Sequence, residues 1–393
     1  MIIGIVSDTH FGFPRFENDA YEQGREAILE AAKACDLLLL PGDIFDIRIA
    51  KPETIAQVAG ILLEAGKIMR EKEQAKGNEC AKHSGNRTLV PIVAIHGTHE
   101  RRPRELVNPI QLMESAGLLA DVHNSTLLFE KNKEKIAISG IGGVPDDLAK
   151  TALESMKCAP QGNAFNIFML HQSFSEMIPS GEEMLSLDDL PQGFDLYVCG
   201  HLHKRAFLKN DTILIPGSTV ITQLREEEQE EKGYILYDTQ EKRAKFIPID
   251  SRPFFFREIK LKNANAQAAK DAIEEEISRI NSSANGKTPL IKIKVSGTLA
   301  NGLSATDVRI GAFGENIFIE TAFSTSDLKE KLQSIRTKHE EKLSAAEYGM
   351  KMLRDKLEEA KIAHLSDEET FLLLQENPEE FVKRVKEKKI AVT

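Results

Sequence analysis

IIGIVSDTH, residues 2–10, is an apolar run that breaks off into an aspartate and a histidine two positions apart. A short apolar run closed by polar residues reads as a strand buried on both faces. The same construction recurs in DLLLLPGD (36–43), LVPIVAIHG (89–97), KIAISGIGG (135–143), NIFMLHQ (166–172) and DLYVCGH (195–201). Amphipathic patterns near 20–34, 53–72, 107–117 and 145–157 lie between these runs and predict helices. Strands alternating with helices imply an α/β layered domain. Shorter strands follow in DTILIPGS (211–218), GYILYD (233–238) and AKFIPID (244–250). The polar stretch EKEQAKGNECAKHSGNR (71–87) reads as a solvated insertion, with His83 an exposed loop residue.

At 393 residues the chain is long enough for two or three domains. After Pro253 the pattern changes: FFFREIKL (254–261), a helix over about 265–281, LIKIKVSG (290–297) and NIFIETA (316–322) suggest a small α+β module. Within it NSSANGKT (281–288) imitates the end of a phosphate-binding loop. It lacks the first glycine and sits after a helix and before a strand, the reverse of the required order, so it carries no function. Beyond it, Leu328, Leu332, Ile335, His339, Leu343, Ala346, Met350, Leu353, Leu357 and Ala360 recur at steps of three and four, the apolar seam of a long helix starting near Ser326. Ser366 with Glu369, and Asn377 with Pro378, mark further helix starts, the last carrying Phe381, Val382 and Val385. Such a stripe either folds back on its own domain or docks a partner protein. The domains expected are therefore 1–252, 253–322 and 323–393.

The composition excludes several classes. No apolar run approaches the roughly 20 residues that span a bilayer, and the first residues lack the pattern of a secretory leader, so a cytoplasmic protein is expected. Cys35, Cys80, Cys158 and Cys199 show no paired spacing, which argues against a disulfide framework or a zinc ribbon. A net charge of −10 argues against a generally basic nucleic-acid coat, yet bound cations can still draw phosphates to one place.

The strand ends deliver SDTH (Asp8, His10), GDIFD (Asp43, Asp46), GTHE (Thr98, His99, Glu100), LHQ (His171) and GHLH (His201, His203). All fall at the carboxyl ends of predicted strands, where open α/β sheets place their ligands. Carboxylate and imidazole donors without thiolate suit manganese, iron or zinc, and in this number they suit two ions. Two ions roughly 3.5 to 4 Å apart clamp the attacking and leaving oxygens of a phosphoryl transfer. The arrangement is that of a phosphoesterase.

The order D-x-H, G-D-x-x-D, G-N-H-[DE], H and G-H-x-H is the signature of the calcineurin-like metallophosphoesterases, and this chain resembles it at all but one position. SDTHFG, GDIFD, LHQ, LPQGFDLYVCGHLHKR and IPGST are similar to one branch in particular, the DNA double-strand-break repair nucleases of the Mre/Rad complex, called SbcD in bacteria. The resemblance extends over nearly the whole chain. It implies a four-layer metallophosphoesterase sandwich in 1–252, an α+β capping domain in 253–322 and a helical ATPase-partner-binding region in 323–393. It further implies two divalent ions, most simply Mn2+, with Asp8, His10 and His203 on one, His171 and His201 on the other, and Asp43 bridging. His99 would act on the phosphate or the leaving oxygen. Thr98 stands where the family has asparagine and offers the second ion a hydroxyl in place of a carbonyl oxygen, so a weaker second site is expected. His96 has no role in the signature; support behind the ligands and plain packing are equally open.

Arg101, Arg102 and Arg104 follow His99, and Lys204 and Arg205 follow His203. Duplex phosphate contacts and salt bridges to neighbouring carboxylates explain them equally well. The resemblance implies a Mn-dependent double-strand exonuclease and single-strand endonuclease that processes DNA ends in the cytoplasm, associated with the nucleoid. It also implies a homodimer through the helices near 53–72 and 107–117, and an SMC-like ATPase of the Rad/SbcC type on the C-terminal helices, with Phe371, Leu374, Phe381 and Val385 as contacts. A small-molecule phosphodiesterase, or a weakened scaffold for the ATPase, are the alternatives.

Overall fold

The alternation of side chains along β-strands dictates the layers. In LLLL at 37–40 the odd leucines point to one side of the sheet and the even ones to the other, and all four are fully buried. Both faces of this sheet must therefore be covered. The computed structural model, which describes residues 1–75, 82–83, 91–103, 105–156, 158–178, 184–283, 286–300 and 313–324, shows how.

The strands and helices run β1 (Ile2–Ile5), α1 (Glu17–Ala34), β2 (Leu37–Leu40), α2 (Pro52–Ala75), β3 (Lys82–His83), β4 (Ile92–Ala94), α3 (Pro109–Ser115), β5 (Ala120–Asp121), β6 (Ser125–Lys131) and β7 (Glu134–Ile141). They continue with α4 (Asp146–Ser155), β8 (Phe165–His171), β9 (Leu196–Gly200), β10 (Ala206–Leu208), β11 (Ile213–Ile215), β12 (Gly233–Asp238) and β13 (Arg243–Pro248). One sheet has the order β13-β12-β1-β2-β4-β5, the other β10-β11-β9-β8-β7-β6-β3. The central pairings β1–β2, β2–β4, β7–β8 and β8–β9 are parallel.

Leu37, Leu39, Ile3, Ile5, Val93 and Ile95 of the first sheet pack against Ile138, Ile167, Met169, Leu196 and Val198 of the second. The opposite side of the first sheet, with Leu38, Leu40, Ile92 and Ala94, is covered by Ala27, Ile28 and Ala31 of α1 and Val58, Leu62 and Ala65 of α2. On the outer side of the second sheet, Phe168, Leu170 and Ile213 share a core with Ala149 of α4. Helix, sheet, sheet and helix make the four layers expected. Each fully buried leucine here contributes about 2 kcal/mol. Parallel pairing aligns the carboxyl ends of β1, β2 and β4, and of β8 and β9, so their following turns leave each sheet at one edge.

The strands and helix expected after Pro253 form as β14 (Phe254–Ala264), α5 (Ala266–Ser283), β15 (Leu290–Leu299) and β16 (Ile317–Ser324), with the three strands in one sheet. The chain divides into two compact units. The first contains Met1–Glu258, Ala272–Lys294 and the described part of Gly311–Glu320; the second contains Ile259–Asp271 and described residues from Val295 and Thr321 on. In the first, Phe254 and Leu290 share a core with Phe16 and Ile221. In the second, Ala269 and Leu299 pack with Leu261 and Phe323. The helices expected beyond 324, with Phe371, Leu374, Phe381 and Val385, lie outside the described residues, as does Arg104.

Two readings need correction. Residues 71–75 are the last turn of α2, not the start of a solvated insertion, and Glu73 is tied to Lys131. His83 sits in a short strand, paired with Phe129, where a loop was expected. The strands β5, β6 and β10 were not anticipated: β6, STLLFEK, buries only two of its seven residues and so lacks a clean apolar signal.

Lys131 is 8% exposed and its ammonium meets Asp36 at 2.6 Å and Glu73 at 2.7 Å, which links β6, α2 and the entry to β2. Removing the cation strands two largely buried carboxylates. Lys131→Met is expected to lower the unfolding free energy by roughly 2 to 3 kcal/mol, measured by urea denaturation at neutral pH.

Candidate metal centre

Four residues at the strand ends adopt backbone conformations that few side chains accept. Asp8, His10, Asp43 and His201 have φ of 50°, 46°, 49° and 81°. Asp and His are among the residue types that tolerate this region, and such conformations gather where function holds them. The surrounding backbone enforces them: Asp8 N donates to Gly42 O at 3.2 Å and His10 N to Asp43 O at 3.0 Å, so the turns after β1 and β2 brace each other.

The close approach of these turns explains two glycines. A Cβ on Gly97 would stand 2.1 Å from Asp43 Oδ1, and one on Gly200 would stand 2.2 Å from Pro41 O and 2.7 Å from His171 Nδ1. No other residue fits either place.

The chain ends thus converge into two groups, Asp8 with His10 and His203, and Asp43 with His171 and His201, each with potential ligand atoms within 4.8 Å of one another. A third group, His10, Asp46 and His99, adjoins the first. His10 Nε2 and His203 Nε2 face each other at 3.2 Å, and His203 Nε2 is 3.8 Å from Asp8 Oδ1. His171 is fully buried; its Nε2 lies 3.1 Å from Asp43 Oδ2, yet forms no directed hydrogen bond. An orphaned imidazole nitrogen beside a carboxylate, both aimed at common space, fits a divalent cation.

The other ring nitrogens are anchored. His10 Nδ1 meets Asp46 Oδ1 at 3.0 Å, His171 Nδ1 meets Pro41 O at 2.8 Å, and His203 Nδ1 meets Thr222 Oγ1 at 2.6 Å. A hydrogen-bond acceptor behind Nδ1 holds the proton there and leaves the Nε2 lone pair for a metal. Charge is correspondingly concentrated. Burial pushes the Asp43 carboxyl up, but the charges of His171, His10 and His99 and the His171 contact outweigh it and hold the group well below the usual carboxylate range. Burial also works against the His171 imidazolium, which Asp43 and Asp8 nevertheless raise to about 9. For His201, burial and the neighbouring His171 push it down to about 4.

Thr98 and His99 complete the edge. The Thr98 hydroxyl donates to Asp43 Oδ2 at 3.3 Å, and the His99 amide donates to Asp43 Oδ1 at 2.8 Å. His99 is the solvent-facing member, with its side chain 45% exposed; Nδ1 lies 2.6 Å from Asp46 O and Nε2 4.0 Å from Asp43 Oδ2. Glu100, which the motif leaves without a task, is fully buried and accepts from the amides of Gly97 and Phe45, each at 2.8 Å. Burial and the Asp43 charge push its carboxyl up to about 8. It binds the turn after β4 to the turn after β2.

A calcineurin-like phosphoesterase family model matches residues 1–205, more than half of the chain. The chain belongs to that family. Among curated relatives, a DNA double-strand break repair protein Mre11 from Sulfolobus acidocaldarius is 27% identical over 407 residues, covering 97% of this chain and 96% of its own length. One from Saccharolobus solfataricus is 28% identical over 314 residues, 74% of each chain. The double-strand break repair protein MRE11 of Encephalitozoon cuniculi is 29% identical over 308 residues, and the match covers 70% of this chain but only 51% of that relative. As a family member, this phosphoesterase uses divalent metal ions, and the two residue groups offer donors of the kind such ions take.

The remaining site residues fall in different places. Arg101 and Arg102, with Arg48, His96, His123 and Asn124, line a cavity of about 630 Å³ beside the Thr98 turn. His96 packs against His123 with ring centres 4.6 Å apart, and burial, aided by the charge of His123, pushes it down to about 3. Lys204 is exposed, whereas Arg205 lies 3.6 Å over the Phe246 ring and is engaged in packing. Asp46 and Glu100, legible in GDIFD and GTHE but without an assigned role, and Thr222 and Glu228, which no motif singles out, hold the ligand turns. The last two become visible only through contacts.

Because Gly97 leaves the space in which the Asp43 carboxylate lies beside His171, Mn2+ is expected to raise the melting temperature of the unaltered protein and Gly97→Ala to abolish that rise. Differential scanning fluorimetry with and without Mn2+ measures this.

Proposed function

We propose that this phosphoesterase is a DNA nuclease that hydrolyses phosphodiesters at broken ends, as a double-strand exonuclease and single-strand endonuclease with Mn2+. The observation that carries the proposal is the placement of two ligand groups on turns that brace each other, Asp8 N on Gly42 O and His10 N on Asp43 O, with an exposed histidine beside them. A relative named as a double-strand break repair protein aligns along nearly the whole chain, and this favours DNA over a small phosphoester.

Asp8, His10 and His203 would hold one ion, His171 and His201 the other, and Asp43 would touch both. A pair of divalent ions supplies Lewis-acid stabilisation of the phosphoryl transition state. The protein's own residues supply positioning. With Nδ1 donating to Asp46 O, His99 keeps Nε2 toward the cluster, and as the imidazolium it would carry a second proton there to give to the departing oxygen. Thr98 supports Asp43 through its hydroxyl but reaches less far than an asparagine would. The cavity rimmed by Arg48, Arg101 and Arg102 gives the flanking strand a positive path on an acidic chain, and exposed Lys204 adds to it. No base-reading motif accompanies them, in keeping with end recognition by backbone and shape.

The proposal includes a homodimer. Leu63 on α2 is 58% exposed, Leu112 on α3 is 42% exposed, and Leu106 and Val107 before α3 are 47% and 57% exposed. Exposed leucines on two helices beside a well-filled core suit a partner face. The C-terminal helices would carry an SMC-like ATPase of the Rad/SbcC type. No helix among the described residues is long and apolar enough to cross a membrane, which fits the proposed place beside the nucleoid in the cytoplasm.

An end-labelled duplex and a labelled single strand, incubated with Mn2+, test the activity. Both are expected to be cut, His99→Ala is expected to slow cutting at least about 100-fold, and Thr98→Asn to accelerate it several-fold at limiting Mn2+. An intact duplex alongside hydrolysis of a small diester would assign the site to small phosphoesters. The double variant Leu63→Glu with Leu112→Glu is expected to sediment as a monomer where the unaltered chain sediments as a dimer.

A further inference from the structure

The run REEEQEEK, residues 225–232, has the composition of a solvated surface. Two of its residues are not at the surface. Glu228 and Lys232 are each 5% exposed, while Glu226 and Glu227 between Arg225 and Glu228 face solvent. Glu228 Oε2 is ion-paired with Lys232 Nζ. Lys232 Nζ donates to Ser218 Oγ at 3.0 Å, and the Ser218 amide donates to His203 O at 3.2 Å. The other carboxylate oxygen, Oε1, accepts from the Gln223 amide at 3.2 Å and from Thr222 Oγ1 at 3.4 Å. Thr222 Oγ1 in turn lies 2.6 Å from His203 Nδ1, which is 3.5 Å from Glu228 Oε1.

The direction of these bonds follows from what each group can do. An ionised carboxylate only accepts, so the Thr222 hydroxyl proton is drawn to Glu228. The hydroxyl oxygen then has only lone pairs to offer His203, and Nδ1 must carry the ring proton. Nε2 is left with its lone pair facing His10 Nε2 and Asp8. Had the hydroxyl proton turned to Nδ1, Nε2 would bear a hydrogen and could not ligate.

We infer that Glu228 is a positioning residue that acts through Thr222 to set the tautomer of His203, so that the Nε2 lone pair is kept for a metal ion in the group with Asp8 and His10. Lys232 holds the carboxylate in place from behind and fixes the His203 backbone through Ser218. The inference rests on the reading of Asp8, His10 and His203 as ligands, not on the identity of the phosphoester substrate. A buried ion pair in a run of surface charge thus reaches the metal centre through one hydroxyl.

The full chain, freed of metal, is titrated with Mn2+ alone while the unbound ion is followed by electron paramagnetic resonance. Thr222→Val removes the hydroxyl at nearly constant volume and leaves the Glu228–Lys232 pair intact. It is expected to weaken one of two Mn2+ sites by about 10- to 100-fold, to leave the other unchanged and to keep the melting temperature of the metal-free protein. Thr222→Ser is expected to restore the weakened site. Glu228→Gln is expected to weaken the same site; because it also strands Lys232, its metal-free melting temperature is compared alongside. Two sites of unaltered affinity in Thr222→Val would overturn the inference, as would equal weakening of both. An unaltered protein that binds two ions but leaves DNA uncut would remove the nuclease reading, and the Thr222 comparison would still decide this one.

Discussion

The structure depends on how a buried carboxylate, Asp43, is kept ionised. Removing a charge from water is expensive unless opposite charge and hydrogen-bond donors replace the solvent. Asp43 is 1% exposed, and the protein surrounds it with His171, the His99 amide, the Thr98 hydroxyl and a gap that only Gly97 can leave. These groups come from the turns after β4 and β8, while Asp43 comes from the turn after β2. One carboxylate therefore fixes the relative position of turns from both sheets. The same concentration of donors that holds the anion in the absence of metal is a ligand set in its presence.

Holding the turns this tightly requires supports that do not themselves touch a substrate. Glu100 ties two turns through backbone amides, and its raised pKa reflects how completely it is removed from water. Left-handed conformations at Asp8, His10, Asp43 and His201 are strained positions that paired strands and mutual hydrogen bonds hold in place. Behind the ligands, Asp46, Pro41 O and Thr222 each hold a histidine by Nδ1. Three different kinds of acceptor reach the same result, a ring whose Nε2 faces the centre. The tightly braced centre contrasts with its surroundings, where His99 and the cavity lined by Arg48, Arg101 and Arg102 face solvent.

Much of this was legible in the sequence. The runs at 2–5, 37–40, 92–94, 165–171 and 196–200 are apolar because both faces of their sheets are buried, so composition alone revealed them. Each ends in a polar motif, and parallel pairing puts those ends on corresponding edges, which is why the strand ends read as one candidate site, while the division of the donors into two groups was an implication of the family resemblance. The signal failed where burial is one-sided or contacts are remote. β6 exposes most of its length and was missed, and the 71–87 stretch looked solvated although Glu73 lies against Lys131. Arg205, for which the sequence left phosphate contact and salt bridging equally open, packs over the Phe246 ring, a contact between residues 41 positions apart.

The sequence by itself determined the doubly buried central strands, their polar ends and the kind of atoms offered there, because strand burial and ligand chemistry are properties of a residue and its immediate neighbours. Tertiary structure alone decided which ring nitrogen faces the centre and which charges are buried. Glu228 and Glu227 are adjacent and chemically identical, yet one is buried behind His203 and the other is in solvent. That difference comes from the chain between β11 and β12 folding back on the turn after β9, a contact between residues about 25 positions apart that no local pattern encodes.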